Sequence, residues 1–104
     1  MEQLLRDGVS VRFAVRGGSM APIILHREIV IVAPVADRPL ETGDIVLVAS
    51  GSEGLMVHRI IAIRGDGHGT RIITKGDATQ IPDQPVSRAD VLGRVIQIEK
   101  TCGQ

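Results

Sequence analysis

Valine and isoleucine recur at alternate positions over much of this chain, and that spacing restricts its fold more than any other feature. In VSVRFAVR, residues 9–16, Val9, Val11, Phe13 and Val15 point one way while Ser10, Arg12, Ala14 and Arg16 point the other. A period of two belongs to a strand with one buried face, and β-branched side chains suit a pleated surface better than a helix. The same reading predicts strands in EIVIVAPV (28–35, stopped near Pro34), DIVLVAS (44–50), GLMVHRIIAIR (54–64), TRIITKGD (70–77) and VLGRVIQIEK (91–100). ADRPLETGD is a loop with a Thr-Gly-Asp turn, GSEG is a turn, and GDGHG is a glycine-rich hairpin connection. ATQIPDQPVSRAD, residues 78–90, is the longest irregular stretch. Met1 to Asp7 predicts one or two helical turns ended by Gly8, and Gly93 marks a bulge or a close backbone approach in the last strand. Many short strands separated by turns predict a single all-β domain, barrel-like or a folded sheet.

The 104 residues suffice for one domain, 1–104 with its core in 9–99, and are too few for two. Twelve basic and twelve acidic residues balance, and Phe13 is the sole aromatic. No cationic excess is available to neutralise phosphates and no aromatic pair to stack bases, which argues against nucleic acid as a partner. Cys102, the one cysteine, has no partner for an intramolecular disulfide or a cysteine metal cluster and is read as a terminal thiol without a role. MEQLLRDG lacks the apolar core of a signal peptide. The longest apolar run, 29–36, falls well short of the ~20 residues of a membrane span. A cytoplasmic protein is expected, with docking at a membrane surface or on a protein partner left open.

The chemistry-bearing candidates begin with RGGSMAPIIL, residues 16–25. Gly17 and Gly18 let the backbone turn sharply ahead of Ser19, and Pro22 stiffens the exit. Such a bend suits a serine nucleophile whose own N–H faces an oxyanion, although Gly-Gly-Ser is also ordinary turn composition. His58 lies mid-strand on a face with Ile60 and Ala62, opposite Val57, Arg59, Ile61 and Ile63. It is either a satisfied strand histidine or a general base suited to neutral pH. His26, in an irregular apolar turn, and His68, in the hairpin tip, are weaker candidates. Asp77 and Asp83 each fit the role of orienting a histidine, and each also fits ordinary turn or loop chemistry. Lys75 offers a Ser-Lys dyad if desolvated. No metal-ligand spacing occurs among the three histidines, and no cofactor is implied.

In combination the segments GGSMAP, ETGDIVLV, VHRIIAI, TKGDATQIPD and VLGRVIQI, in that order, resemble type I signal peptidases, relatives of the LexA-like self-cleaving repressors. The resemblance covers about residues 9–99. Bacterial signal peptidases carry a lysine base where this chain has His58, whereas the archaeal and endoplasmic-reticulum enzymes carry histidine. The resemblance therefore implies the histidine branch, without the membrane anchor. It implies a folded sheet or partly closed barrel with Ser19 as nucleophile and His58 as base. Asp83 is the favoured orienting carboxylate and Asp77 the second or site-shaping one. Gly17, Gly18, Met20 and Pro22 are implied to form the oxyanion and substrate-binding segment. The implied partner is a peptide or protein precursor with an extended leader-like segment and small residues before the cut.

The chain departs from the family at Gly17, where many relatives have a serine that aids the oxyanion, at Ala21, at HRE (26–28) in place of Gly-Asp, and at Ala78-Thr79 in place of asparagine. These departures keep a second reading in view, a weakened or non-catalytic peptide-binding module on the same fold. A LexA-like regulator is a third; it predicts a helical DNA-binding domain and a lysine base, and neither is visible in the sequence.

Overall fold

The computed structural model describes residues 2–35, 38–50, 54–66 and 69–100. His68 and Cys102, singled out above, lie outside them. A short helix, α1 (Glu2–Arg6), precedes β1 (Val11–Ala14), β2 (Ile29–Ala33), β3 (Ile45–Ser50), β4 (Gly54–Asp66), β5 (Gly69–Lys75), β6 (Val86–Ser87) and β7 (Val91–Glu99). The strands form one seven-stranded sheet in the order β1-β2-β7-β3-β4-β5-β6. Each neighbouring pair is antiparallel. The fold is thus all-β, a single sheet curled into a half-barrel. Within the irregular 78–90 stretch the chain forms β6 and a 3-10 turn at Arg88–Asp90. Among the described residues no helix is long and apolar enough to cross a membrane.

The curl buries both faces of the central strands. Leu47 and Val57 are opposite each other in the β3–β4 pair. Both join a core with Leu5, Val11, Val15, Met20, Ile24, Val30 and Val32. Val46, Val48 and Ile60, pointing the other way, join a second core with Leu40, Ile72 and Val91. Burial on both sides explains why IVLV in β3 is apolar without a break, where β1 alternates. Arg94, 4% exposed, sits among these apolar side chains. Its guanidinium donates to Asp44 Oδ2 and to the carbonyls of Arg38 and Pro39, pinning the loop that enters β3. A charge removed from water is tolerated only with such pairing.

Among the described residues three departures from simple alternation shape the sheet, one of them between Ile31 and Val32 where β2 meets β7. In the β4–β5 pair Ile60 faces Thr74 but Ala62 faces Ile73, so Ile61 is an extra residue in the ladder. The bulge reverses the faces beyond it. Ile63, expected opposite His58, therefore packs with Ile60 and Ile72 in the second core, and Ala62 does not share the His58 face. The third, between Leu47 and Val48, falls where β3 meets Gly93 and Val91. A Cβ on Gly93 would lie 2.5 Å from Val32 Cγ1 and 2.7 Å from the Ala33 carbonyl oxygen, so the glycine permits close approach of β2 and β7.

β1 leads directly into the Ser19 bend, and the β1–β2 ladder continues past its ends. The Val15 N–H donates to the Glu28 carbonyl and the Arg27 N–H to the Val15 carbonyl. To make this turn Arg27 takes φ +74°, the left-handed region. Arginine there costs roughly 1–2 kcal/mol. Gly93→Ala is expected to destabilise the fold by about 2–3 kcal/mol, because one of its clashes is with backbone. Arg27→Gly is expected to stabilise it by up to ~1 kcal/mol. Urea unfolding midpoints at unchanged slope measure both.

Candidate active site

Three tethers shape the bend that carries Ser19. Gly17, at φ +83°, donates its N–H to His26 Nδ1 at 2.8 Å. Ala21 N–H closes a turn on the Gly18 carbonyl, and Ala78 N–H donates to the Ser19 carbonyl at 2.8 Å. The Ala21–Pro22 peptide is cis. Met20 is fully buried beneath the bend in the first core, and its sulfur accepts the Asp77 N–H at 3.4 Å. Among the described residues the N–H groups of Gly18, Ser19 and Met20 have no hydrogen-bond partner.

His58 reaches the bend from β4. Its Nε2 lies 3.0 Å from Ser19 Oγ, and its Nδ1 lies 2.5 Å from Asp83 Oδ2. A carboxylate only accepts, so Nδ1 carries the proton in the neutral ring and Nε2 is left to accept the serine hydroxyl. Asp83 is itself held twice. Thr74 Oγ1 donates to Asp83 Oδ2 at 2.7 Å, and Asp83 N–H donates to the Thr74 carbonyl at 2.8 Å. Thr74 is fully buried at a strand position that alternates with Ile72, so its hydroxyl needs this partner. The imidazole is 9% exposed and the Asp83 side chain 24%, which leaves the hydrogen-bonded line at the surface of a groove rather than sealed below it.

The turn after β5 fixes Ser19 against His58. A Cβ on Gly76 would lie 2.5 Å from the Ser19 carbonyl oxygen, 3.0 Å from Ser19 Cβ and 3.1 Å from His58 Nε2. Only glycine fits between the two. The turn is stapled through the Gly76 carbonyl, which accepts from Thr79 N–H, Thr79 Oγ1 and Lys75 Nζ. Asp77, next in the turn, forms a two-pronged pair with Arg59, at 2.9 Å to Nε and 2.8 Å to the terminal nitrogen. Arg59 also donates to the Gly43 carbonyl, tying this turn to the loop pinned by Arg94. The Arg59 hydrogen bonds hold the Asp77 carboxyl below its ordinary range, reinforced by the charges of Arg59 and Lys75.

Ser19, His58 and Asp83 therefore meet, and four candidates stand elsewhere. Asp77 does not touch His58; the Arg59 fork takes both its oxygens. Lys75 is no base for Ser19, because its ammonium is engaged by the carbonyls of Gly76 and Thr79. Gly17 has no free N–H to offer an oxyanion. Met20 is too deeply buried to touch a substrate, and it supports the bend from below. Gly18 and Pro22 remain exposed beside Ser19. Thr74, Gly76 and Arg59 have site roles that strand periodicity did not reveal. The polar Thr74 at a core-facing position was the available signal.

A groove of about 960 Å³ opens in front of Ser19 and His58. Phe13, Val15 and Arg16 form one side, and Leu55, Met56 and Val57 another. A serine hydroxyl, an imidazole and a buttressed carboxylate in one line beside a groove of mixed apolar and polar lining are what a serine hydrolase requires. That places the domain with the peptidases and related hydrolases. The Peptidase S24-like family profile matches residues 2–96, almost the whole curled sheet, and the chain belongs to that family. No curated protein matches it.

The Arg59–Asp77 pair gives a pH-dependent stability. A carboxyl lowered by folding stabilises the native state above its unfolded value, and that contribution is lost as pH falls through the lower, folded value. Asp77→Asn is expected to cost about 1 kcal/mol at pH 7. The gap between it and the parent should close as acid protonates Asp77. Thermal melts of both proteins from neutral to strongly acidic pH check the direction.

Proposed function

We propose that this domain is a serine endopeptidase of the signal-peptidase type, acting on an extended, leader-like segment of a precursor. The hydrogen-bonded line Ser19–His58–Asp83 carries the reading. Ser19 Oγ attacks the scissile carbonyl while His58 Nε2 takes its proton, and Asp83 holds the ring in the needed tautomer and stabilises the imidazolium. The N–H groups of Gly18 and Ser19, without partners in the fold, are the donors for the oxyanion. The tetrahedral adduct collapses as Nε2–H protonates the leaving amine. Water, deprotonated by the same imidazole, then releases the acyl group and restores Ser19.

The groove favours an extended substrate. Among the described residues β1 pairs on one side only, with β2. The Gly54–His58 part of β4 pairs with β3, and pairing with β5 begins only at Arg59. Two unpaired strand edges thus border one groove, the arrangement that takes up a peptide by strand addition. Small residues before the cut, and descent from the histidine-bearing branch, follow from the resemblance in motif order. The non-catalytic module is the competing reading.

Incubation of the purified chain with leader-like peptides, followed by mass spectrometry, tests the proposal. Cleavage at one bond is expected, abolished in Ser19→Ala and reduced roughly 10³- to 10⁴-fold in Asp83→Asn. Cleavage that survives Ser19→Ala removes the assigned nucleophile. Failure to cut any peptide, with no labelling of Ser19 by a serine-directed acylating probe, supports the binding module.

A further inference from the structure

We infer that His26 is a second functional imidazole, a positioning residue that holds the nucleophile bend in place only while its ring is neutral. The inference rests on the reading of Ser19 as the nucleophile. Gly17 and Gly18 have no side chains to restrain the turn and lose the most freedom on ordering. Their geometry must be imposed from outside. The Ser19 carbonyl is held by Ala78 N–H and the Gly18 carbonyl by Ala21 N–H, both backbone contacts. Gly17 is held by a side chain, with its N–H on His26 Nδ1 at 2.8 Å.

That bond has a strict protonation requirement. An imidazole nitrogen accepts only when it bears no proton, and both nitrogens of the imidazolium are donors. Protonated His26 would turn a donor towards the Gly17 N–H and replace attraction with repulsion. The ring is exposed, so acid reaches it directly. It is brought opposite Gly17 by the continued β1–β2 ladder, in which Arg27 N–H and Val15 N–H bond across the turn. The charged groups on these segments are Arg16, beside Gly17, and Arg27 and Glu28, beside His26. Glu28 is occupied by Leu25 N–H and by Lys100, which reaches in from the end of β7 and also donates to the Ile23 carbonyl. His58 stands on the far side of Ser19 and bonds to the hydroxyl, so the two histidines grip the bend at different atoms.

The consequence is a bend whose alignment weakens on acidification independently of the general base. A displacement of the attacking oxygen by a fraction of an ångström suffices to slow an in-line attack. Releasing Gly17 also frees an amide beside the oxyanion donors.

The test compares the parent with His26→Asn, whose amide oxygen can accept from Gly17 without titrating, and with His26→Leu, which cannot accept. Thermal melts establish that all three fold. At about pH 8, where histidine is largely neutral, His26→Leu is expected to lose roughly 3- to 10-fold in kcat with little change in KM, and His26→Asn to recover most of that loss. As pH falls towards about 5, the ratio of parent to His26→Asn should drop towards the His26→Leu deficit. Every other ionisable group is shared by the three proteins and cancels from the ratio. A flat ratio, or a His26→Leu protein with the parent's kcat, overturns the inference.

If no peptide is cut, the rate of Ser19 acylation by the probe replaces kcat. If Ser19 is inert in every form, the peptidase reading falls. The Gly17 amide resonance then decides the histidine contact alone. It should shift with the His26 ring titration in the parent and stay still in His26→Asn, and an unmoved resonance in the parent removes the contact.

Discussion

Gly76 lies against Ser19 at a distance that leaves no room for even one carbon atom more. The Ala78 N–H to Ser19 carbonyl bond and the Asp77 N–H to Met20 sulfur bond close the same seam. Through this seam the bend after β1 meets the turn after β5, two parts of the chain that share no strand pairing. The sheet brings His58 against the seam, and Thr74 of β5 holds Asp83 beside the imidazole. Arg59, Asp77 and the Gly43 carbonyl carry the bracing outward to the loop held by Arg94. The site is therefore braced from three directions, and few of the bracing groups face the groove.

The strands were legible because their physics is local. Alternation in VSVRFAVR and the unbroken apolar run of DIVLVAS reflect one-sided and two-sided burial, and the structure has both. Ends were less legible. The strand expected over 28–35 is strand only at Ile29–Ala33, and the first only at Val11–Ala14. The face assignment beyond Ile60 failed because a bulge depends on the partner strand, and nothing in IIAIR announces an extra residue. The short pairing of Val86–Ser87 with β5 was hidden for the same reason, since two residues carry no period.

The site was legible in residue types and order rather than in geometry. Ser19, His58 and Asp83 were named as a set through resemblance, while the residues alone left Asp77 and Asp83 equivalent. What separates them is Arg59. It leaves β4 on the face opposite His58 and takes both Asp77 oxygens, so Asp83 is the carboxylate that remains for the ring. That outcome depends on which strand face meets which turn, a tertiary fact. Thr74 and Gly76 act by burial and by closeness of approach. His26 looked like an unremarkable loop histidine because its partner, the Gly17 amide, leaves no mark in a sequence.

The extra residue at Ile61 divides β4 into two mechanically different lengths. On its near side the strand carries His58 and is locked to β3 through Val46, Leu47 and Val48. On its far side it belongs to a hairpin with β5. A register change in a regular strand turns every later side chain over, but a bulge absorbs such a change where it stands. The face that His58 presents to the groove is therefore set by its pairing with β3 and not by the length of the hairpin beyond the bulge.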